Sequence, residues 1–297
     1  MGEVYYDFVV IGGGSAGYAA ARTFHDDGFK VAVVDGGKEL SGLCILQGCM
    51  PSKTLIYSAE VFHLARQGSI FGFKNFDPKA DMVGMQKRKK EIIAEFANYR
   101  KGQLEDGRFS LFRSNGQLVN NQTVRLRDGT ILQAKKILIA TGSKVKVPNL
   151  PGLSEVNYKT SDHVLDLNFV PPECVVLGGG VVACELAQFL SRIGSEVTLL
   201  QRSPQLLKEF SVEASECLQS AMRAEGINLQ LGVDFKGFSQ VDELNSKISY
   251  LHQDEEKAIK TSFLFLALGR EPSTENLNLS VAGVEKLSSG HIKTNSY

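Results

Sequence analysis

The chain has no excess charge of either sign: 33 Lys and Arg balance 33 Asp and Glu. That balance removes the electrostatic footprint expected of a nucleic-acid binder or of a protein drawn to an anionic membrane. Long apolar runs are absent as well. One of the most apolar stretches, residues 263–268 ("FLFLAL"), is strand-sized, far short of the roughly 18 residues a membrane helix needs. The N-terminus lacks a basic segment followed by an apolar one, so its first apolar run reads as a strand and not as a signal sequence. Cysteines are few and odd in number, Cys44, Cys49, Cys174, Cys184 and Cys217. This is no secreted disulfide framework, and a reducing cytoplasm is the expected location. No low-complexity tract interrupts the 297 residues, which suffice for two domains with separate cores.

What the chain does contain is an internal repeat. "DFVVIGGGSAGYAAARTFHDDGFKVAVVDGG" from Asp7 aligns without a gap with "ECVVLGGGVVACELAQFLSRIGSEVTLLQRS" from Glu173, at an offset of 166. Each copy reads as strand, glycine turn, helix and strand. In the first, Gly12, Gly14 and Gly17 have the G-x-G-x-x-G spacing. The first glycine permits the tight turn, the second lets a pyrophosphate approach the backbone, and the third lets the helix pack on the strand. The helix N-terminus then offers N–H groups to phosphate. Asp35 closes the second strand, where a carboxylate accepts from ribose hydroxyls. The first copy is therefore expected to bind a dinucleotide with a free adenosine ribose, FAD or NAD.

The second copy keeps Gly178 and Gly180 but has Ala183 for the third glycine, and Gln201 stands where the first has Asp35. Arg202 follows, with Lys208 six residues further on. Without a carboxylate to repel it, a 2′-phosphate could be held by these cations, so NADP(H) is favoured over NAD(H). The bland alternative is two solvated surface charges. Two dinucleotide sites in one chain fit a bound redox group served by a diffusible hydride carrier.

Residues 42–53 read "GLCILQGCMPSK". Zinc would require further close Cys or His pairs, which the chain lacks, so no metal site is expected. A structural disulfide closing so small a loop would contribute little. A redox role gains weight because the two cysteines follow directly on the first dinucleotide unit and precede a helical pattern, whose dipole stabilises a thiolate near its start.

Together "IGGGSAG", "GLCILQGCMPSK", "ILIATGS", "VVLGGGVVACELA" and "LALGREP" run in an order that resembles the pyridine nucleotide-disulfide oxidoreductases, the flavoprotein class of dihydrolipoamide dehydrogenase, glutathione reductase and mercuric reductase. Residues 181–210 are most similar to the nicotinamide domain of mercuric reductases and related NADPH enzymes. The resemblance implies an α/β fold with two Rossmann-like domains: residues 1–150 binding FAD, 151–278 binding NAD(P), and 279–297 beginning a return to the FAD domain. It also implies a catalytic set of Cys44, Cys49, Lys53 and Glu185: a Cys44–Cys49 redox disulfide, Cys49 facing the flavin and Cys44 facing substrate, with Lys53 near the flavin paired with Glu185 of the nucleotide site. Ser15, Ala16, Gly36, Gly42, Leu43, Thr141 and Gly142 would join the FAD site, and Val182 and Gly269 the nucleotide site. The implied activity passes a hydride from NADPH to FAD and electrons to the disulfide, for a small-molecule or protein disulfide or a metal ion.

Departures from the family pattern temper this. Leu43 and Leu46 stand where the family has Thr and a polar residue. No Gly-Asp dipeptide occurs, although the family's returning strand ends in one. The C-terminal dimerisation domain, with its acid–base His-Glu pair, is expected to be missing, and none of His25, His63, His163, His252 and His291 stands in such a motif. The family is homodimeric, so a truncated reductase with uncertain turnover is expected. The alternatives are a non-catalytic flavin- and nucleotide-binding protein and a flavin monooxygenase, which would not need Cys44 and Cys49. Residues 87–106 form a basic helical pattern that reads as solvated surface, and Cys174, Cys184 and Cys217 read as buried small residues.

Overall fold

A computed structural model describes residues 4–74 and 78–296. They form two compact units. The first comprises the stretch up to Pro51, Glu91–Lys144 and the stretch from Arg270 onward; the second comprises Ser52–Lys90 and Val145–Gly269. This partition differs from a linear division after residues 150 and 278. Residues 52–90 group with the second unit because Leu55, Ala59 and Met82 sit in its core beside Ala183, Ala187 and Leu190.

The first unit is built on a six-stranded sheet, in the spatial order Ser110–Phe112, Val31–Val34, Val4–Ile11, Ile131–Ile139, Thr123–Leu126, Gly116–Asn120. The first four strands pair in parallel, and the last two are joined on by antiparallel pairings. Val31–Val34 is buried along its whole length, as expected of a parallel strand covered on both faces. The helix Ser15–Asp26 buries Gly17, Tyr18 and Ala21, one face of a 3.6-residue period.

The second unit repeats the plan. Its five-stranded sheet runs Asn228–Leu231, Glu196–Gln201, Glu173–Leu177, Leu264–Leu266, Tyr158–Lys159, every pairing parallel. The helix Val181–Ile193 buries Ala183, Leu186, Ala187, Leu190 and Ile193, the i, i+3, i+4, i+7 stripe of a helix lying on a sheet. A three-stranded antiparallel sheet, Asp234–Gln240, Ser246–His252 and Glu255–Thr261, completes it.

The basic pattern at 87–106 is realised as the longer helix Met82–Glu105. Cys174 and Cys184 are buried as expected, but Cys217 is exposed. It lies on the helix Val212–Ala224, whose buried positions are Ser215, Gln219 and Met222, so residue 217 falls on the opposite face. Among the described residues no helix is long and apolar enough to cross a membrane.

Candidate functional site

Each unit turns at its glycines in the same way. Gly12 has φ +108° and Gly178 φ +122°, in the region where an L side chain is strained. A Cβ on Gly12 would lie 2.3 Å from the Ala140 oxygen, and one on Gly178 2.4 Å from the Ala267 oxygen. In both units, then, the turn is pressed against the end of a neighbouring strand, at "ATG" (140–142) and "ALG" (267–269). The first turn is the tighter: a Cβ on Gly17 would lie 1.8 Å from the Gly12 oxygen. The second accepts Ala183, fully buried.

In the first unit the turn opens a cavity of about 720 Å³. Gly12, Gly14, Asp35, Gly36, Gly42 and Leu43 line it, together with Thr141 and Gly142. Ser15 and Ala16 begin the helix, with Gly14 as its N-cap, and are exposed. Asp35 is 8% exposed; its carboxylate accepts from Gly13 N at 2.7 Å and Gly37 N at 2.9 Å. A Cβ on Gly42 would lie 2.5 Å from the Gly14 Cα, so two backbone segments meet there with no side chain between. A glycine cradle, outward-facing amides at a helix start and a carboxylate at the end of the second strand suit a dinucleotide.

Arg113 escaped the sequence reading. Its guanidinium donates to Asp35 O and Oδ1, each at 3.1 Å, and to Gly37 O and Lys38 O at 2.5 and 3.3 Å. It thereby holds the loop that carries Asp35. No local signal marks it, because it follows the third parallel strand and meets Asp35 only through the sheet.

In the second unit a cavity of about 500 Å³ is lined by Gly178, Gly180, Gln201, Arg202, Lys208 and Gly269. Val182 is exposed in the first turn of the helix Val181–Ile193. Gln201 folds against the turn, since a Cβ on Gly179 would lie 2.8 Å from its Cγ and Cδ. Arg202 and Lys208 are exposed, and Lys208 lies 3.5 Å from Glu209. Phe210 and Leu207 also line this cavity and were not expected there. Leu207 has φ +48°, a backbone feature that its sequence does not announce.

Cys44 lies on the short helix Gly42–Leu46, whose Gly42 and Leu43 belong to the first cavity wall. Cys49 opens the helix Cys49–Arg66. Between them Gln47 N donates to Leu43 O at 2.9 Å, and a Cβ on Gly48 would sit 3.0 Å from that oxygen. Glycine keeps this turn tight. Cys44 is half-buried and Cys49 exposed. Burial instead pushes the Cys184 thiol up to about 11, and Cys174 higher still, as for inert structural cysteines. Within the second unit, Lys53 Nζ donates to both carboxylate oxygens of Glu185, each at 2.7 Å, the pairing that the resemblance implied.

Comparison with known proteins agrees with this geometry. The family model for pyridine nucleotide-disulphide oxidoreductases matches residues 6–297. A mercuric reductase of Bacillus cereus is 36% identical over 297 residues, covering 100% of this chain and 47% of the relative. A glutathione reductase of Yarrowia lipolytica is 31% identical, covering 99% and 64%. Among solved structures, the HOCl-induced flavoprotein disulfide reductase RclA of Escherichia coli superposes with a TM-score of 0.81 at 25% identity, covering 98% of this chain and 62% of that one. The chain thus spans about half to two thirds of the length of these relatives. With the match running from residue 6 to residue 297, the chain belongs to the pyridine nucleotide-disulphide oxidoreductase family.

Proposed function

We propose that the chain binds FAD in the first cavity and NADP(H) in the second, and draws on NADPH to reduce a disulfide at Cys44 and Cys49. A substrate disulfide, or a metal ion such as the one its mercuric reductase relatives are named for, then takes the electrons. The observation that carries the proposal is the twin cradle: two glycine turns of one geometry, one closed by the carboxylate of Asp35 and the other by the neutral amide of Gln201 beside Arg202. A carboxylate suits ribose hydroxyls; an amide with an arginine suits a phosphorylated ribose.

The chemistry a bound flavin supplies is the coupling of two-electron nicotinamide oxidation to thiol–disulfide exchange. The chain's own residues bind and orient. Asp35, fixed by Arg113, holds the adenosine end; Gly12, Gly14 and Gly42 let the ligand approach the backbone. Cys49, at the start of an 18-residue helix, is the thiol whose charged form the helix dipole favours on the flavin side, and Cys44, half-buried, is the thiol that exchanges with the substrate. Overall, NADPH, a proton and a disulfide give NADP⁺ and two thiols.

The test is an anaerobic titration of the FAD-reconstituted protein with NADPH, followed by visible absorption and a thiol count. The first equivalent of NADPH is expected to yield two thiols and a second to bleach the flavin; in Cys44→Ser and Cys49→Ser the thiol gain is lost and one equivalent bleaches the flavin. Full turnover in both serine variants would overturn the reading in favour of a cysteine-independent flavoprotein.

A further inference from the structure

The helices Cys49–Arg66 and Val181–Ile193 are joined at two points. Lys53 meets Glu185, and Arg192 Nη1 donates to Glu60 Oε2. Both partners advance by seven residues from one contact to the next. Seven residues are about 10.5 Å and nearly two whole turns, so the helices run in the same direction and present the same faces at both contacts. Between the contacts, Leu55 and Ala59 share one core with Leu186, Ala187 and Leu190. Small apolar side chains permit a close approach but select no register; polar contacts do that.

Arg192 is built to be the fixed point. Its side chain is 12% exposed, and Nε and Nη2 donate to the two carboxylate oxygens of Glu225 at 2.7 and 2.8 Å. Gln188 Nε2 donates to the same carboxylate at 2.8 Å. A fork held on both tines cannot swing, so its remaining donor marks one place on the surface, and Glu60 is there. The Lys53 amine reaches both oxygens of Glu185 only over a narrow range of positions. A slip of one residue, about 1.5 Å along the axis, would break that geometry.

We propose that Glu60 and Arg192, steadied by Glu225, are positioning residues that set the register of Lys53 on Glu185. The register stands on the geometry alone; its value to the reaction rests on the function proposed above.

The test measures the rate at which a trace of acetic anhydride acetylates Lys53 in the full chain, with the exposed Lys236 as internal standard. Glu185→Gln sets the rate for an unpaired amine. Glu60→Gln is expected to raise Lys53 acetylation roughly two- to fivefold, the span of a partly exposed ion pair. Glu60→Asp, which keeps the charge, is expected to give a smaller rise. Glu60 is 42% exposed, so these variants keep the fold. An unchanged Lys53 rate in Glu60→Gln, with or without a lower melting temperature, would overturn the proposal, because a merely structural contact does not reach Lys53. If Glu60→Gln raises the rate while Glu185→Gln leaves reduction of the cysteine pair by NADPH intact, the register is upheld and the catalytic role that the family resemblance implies for Lys53 and Glu185 fails.

Discussion

Asp35 and Gln201 occupy the same place in the two units, each at the end of a second strand and each laid against the middle glycine of its turn, Gly13 or Gly179. One is an acceptor with a full charge and the other is neutral. On the proposed function, the pair separates two ligand chemistries that the backbone treats alike. Arg202→Ala is expected to raise the KM for NADPH roughly 10- to 150-fold, the value of a lost charge-assisted hydrogen bond of about 1.5–3 kcal/mol. The KM for NADH should scarcely move. Steady-state kinetics with both nucleotides check this, and an equal loss for both would remove Arg202 from phosphate recognition.

Gly17→Ala puts a methyl group 1.8 Å from the Gly12 oxygen, which no rotamer can relieve. Overpacking of this kind costs about 1–3 kcal/mol, so the variant is expected to unfold at lower urea and to retain less flavin. At the matching position, Ala183→Gly removes a buried methyl at a cost of about 1–2 kcal/mol. Urea midpoints of both variants test the contrast; if Gly17→Ala were neutral, the first turn would be looser than described.

The Arg192 fork holds the Glu225 carboxyl below the usual carboxylate range. A depressed folded value means that the unfolded chain binds the proton more readily. The pair's stabilisation is then fully present above the unfolded value, about 4.3, and is lost as pH falls through the folded one. The melting-temperature gap between the native chain and Glu225→Gln should be widest at neutral pH and close in acid. A gap that widened in acid would contradict the assignment.

Cys174 and Cys184 are 1% and 5% exposed and their thiols are pushed up by burial. Brief iodoacetamide treatment at neutral pH should leave both unlabelled while Cys217 reacts. Peptide mass spectrometry reads the order, and Cys184 reacting before Cys217 would show that the second unit opens readily.

The parts of this architecture legible in the sequence were those written in local order. Glycine spacing, the apolar runs beside it and the ungapped repeat announce two parallel-sheet units, because a tight turn and a close helix each demand a residue type at a given offset. The grouping of residues 52–90 with the second unit was not legible, since Leu55 and Ala59 look like any helix interior until their partners some 130 residues away are known. Arg113, Glu60 and Glu225 were missed for the same reason. Each acts through one long-range contact with no motif around it. Cys217 was misjudged because its composition says small and apolar while its helical phase says solvent.

The matching of Gly12 on Ala140 by Gly178 on Ala267 makes the molecule its own reference. Heat, salt or denaturant acts on both turns at once, and both respond with the same backbone. A difference in how the two halves answer to an added nucleotide is then read against a shared turn, with Asp35 set against Gln201 and Gly17 against Ala183.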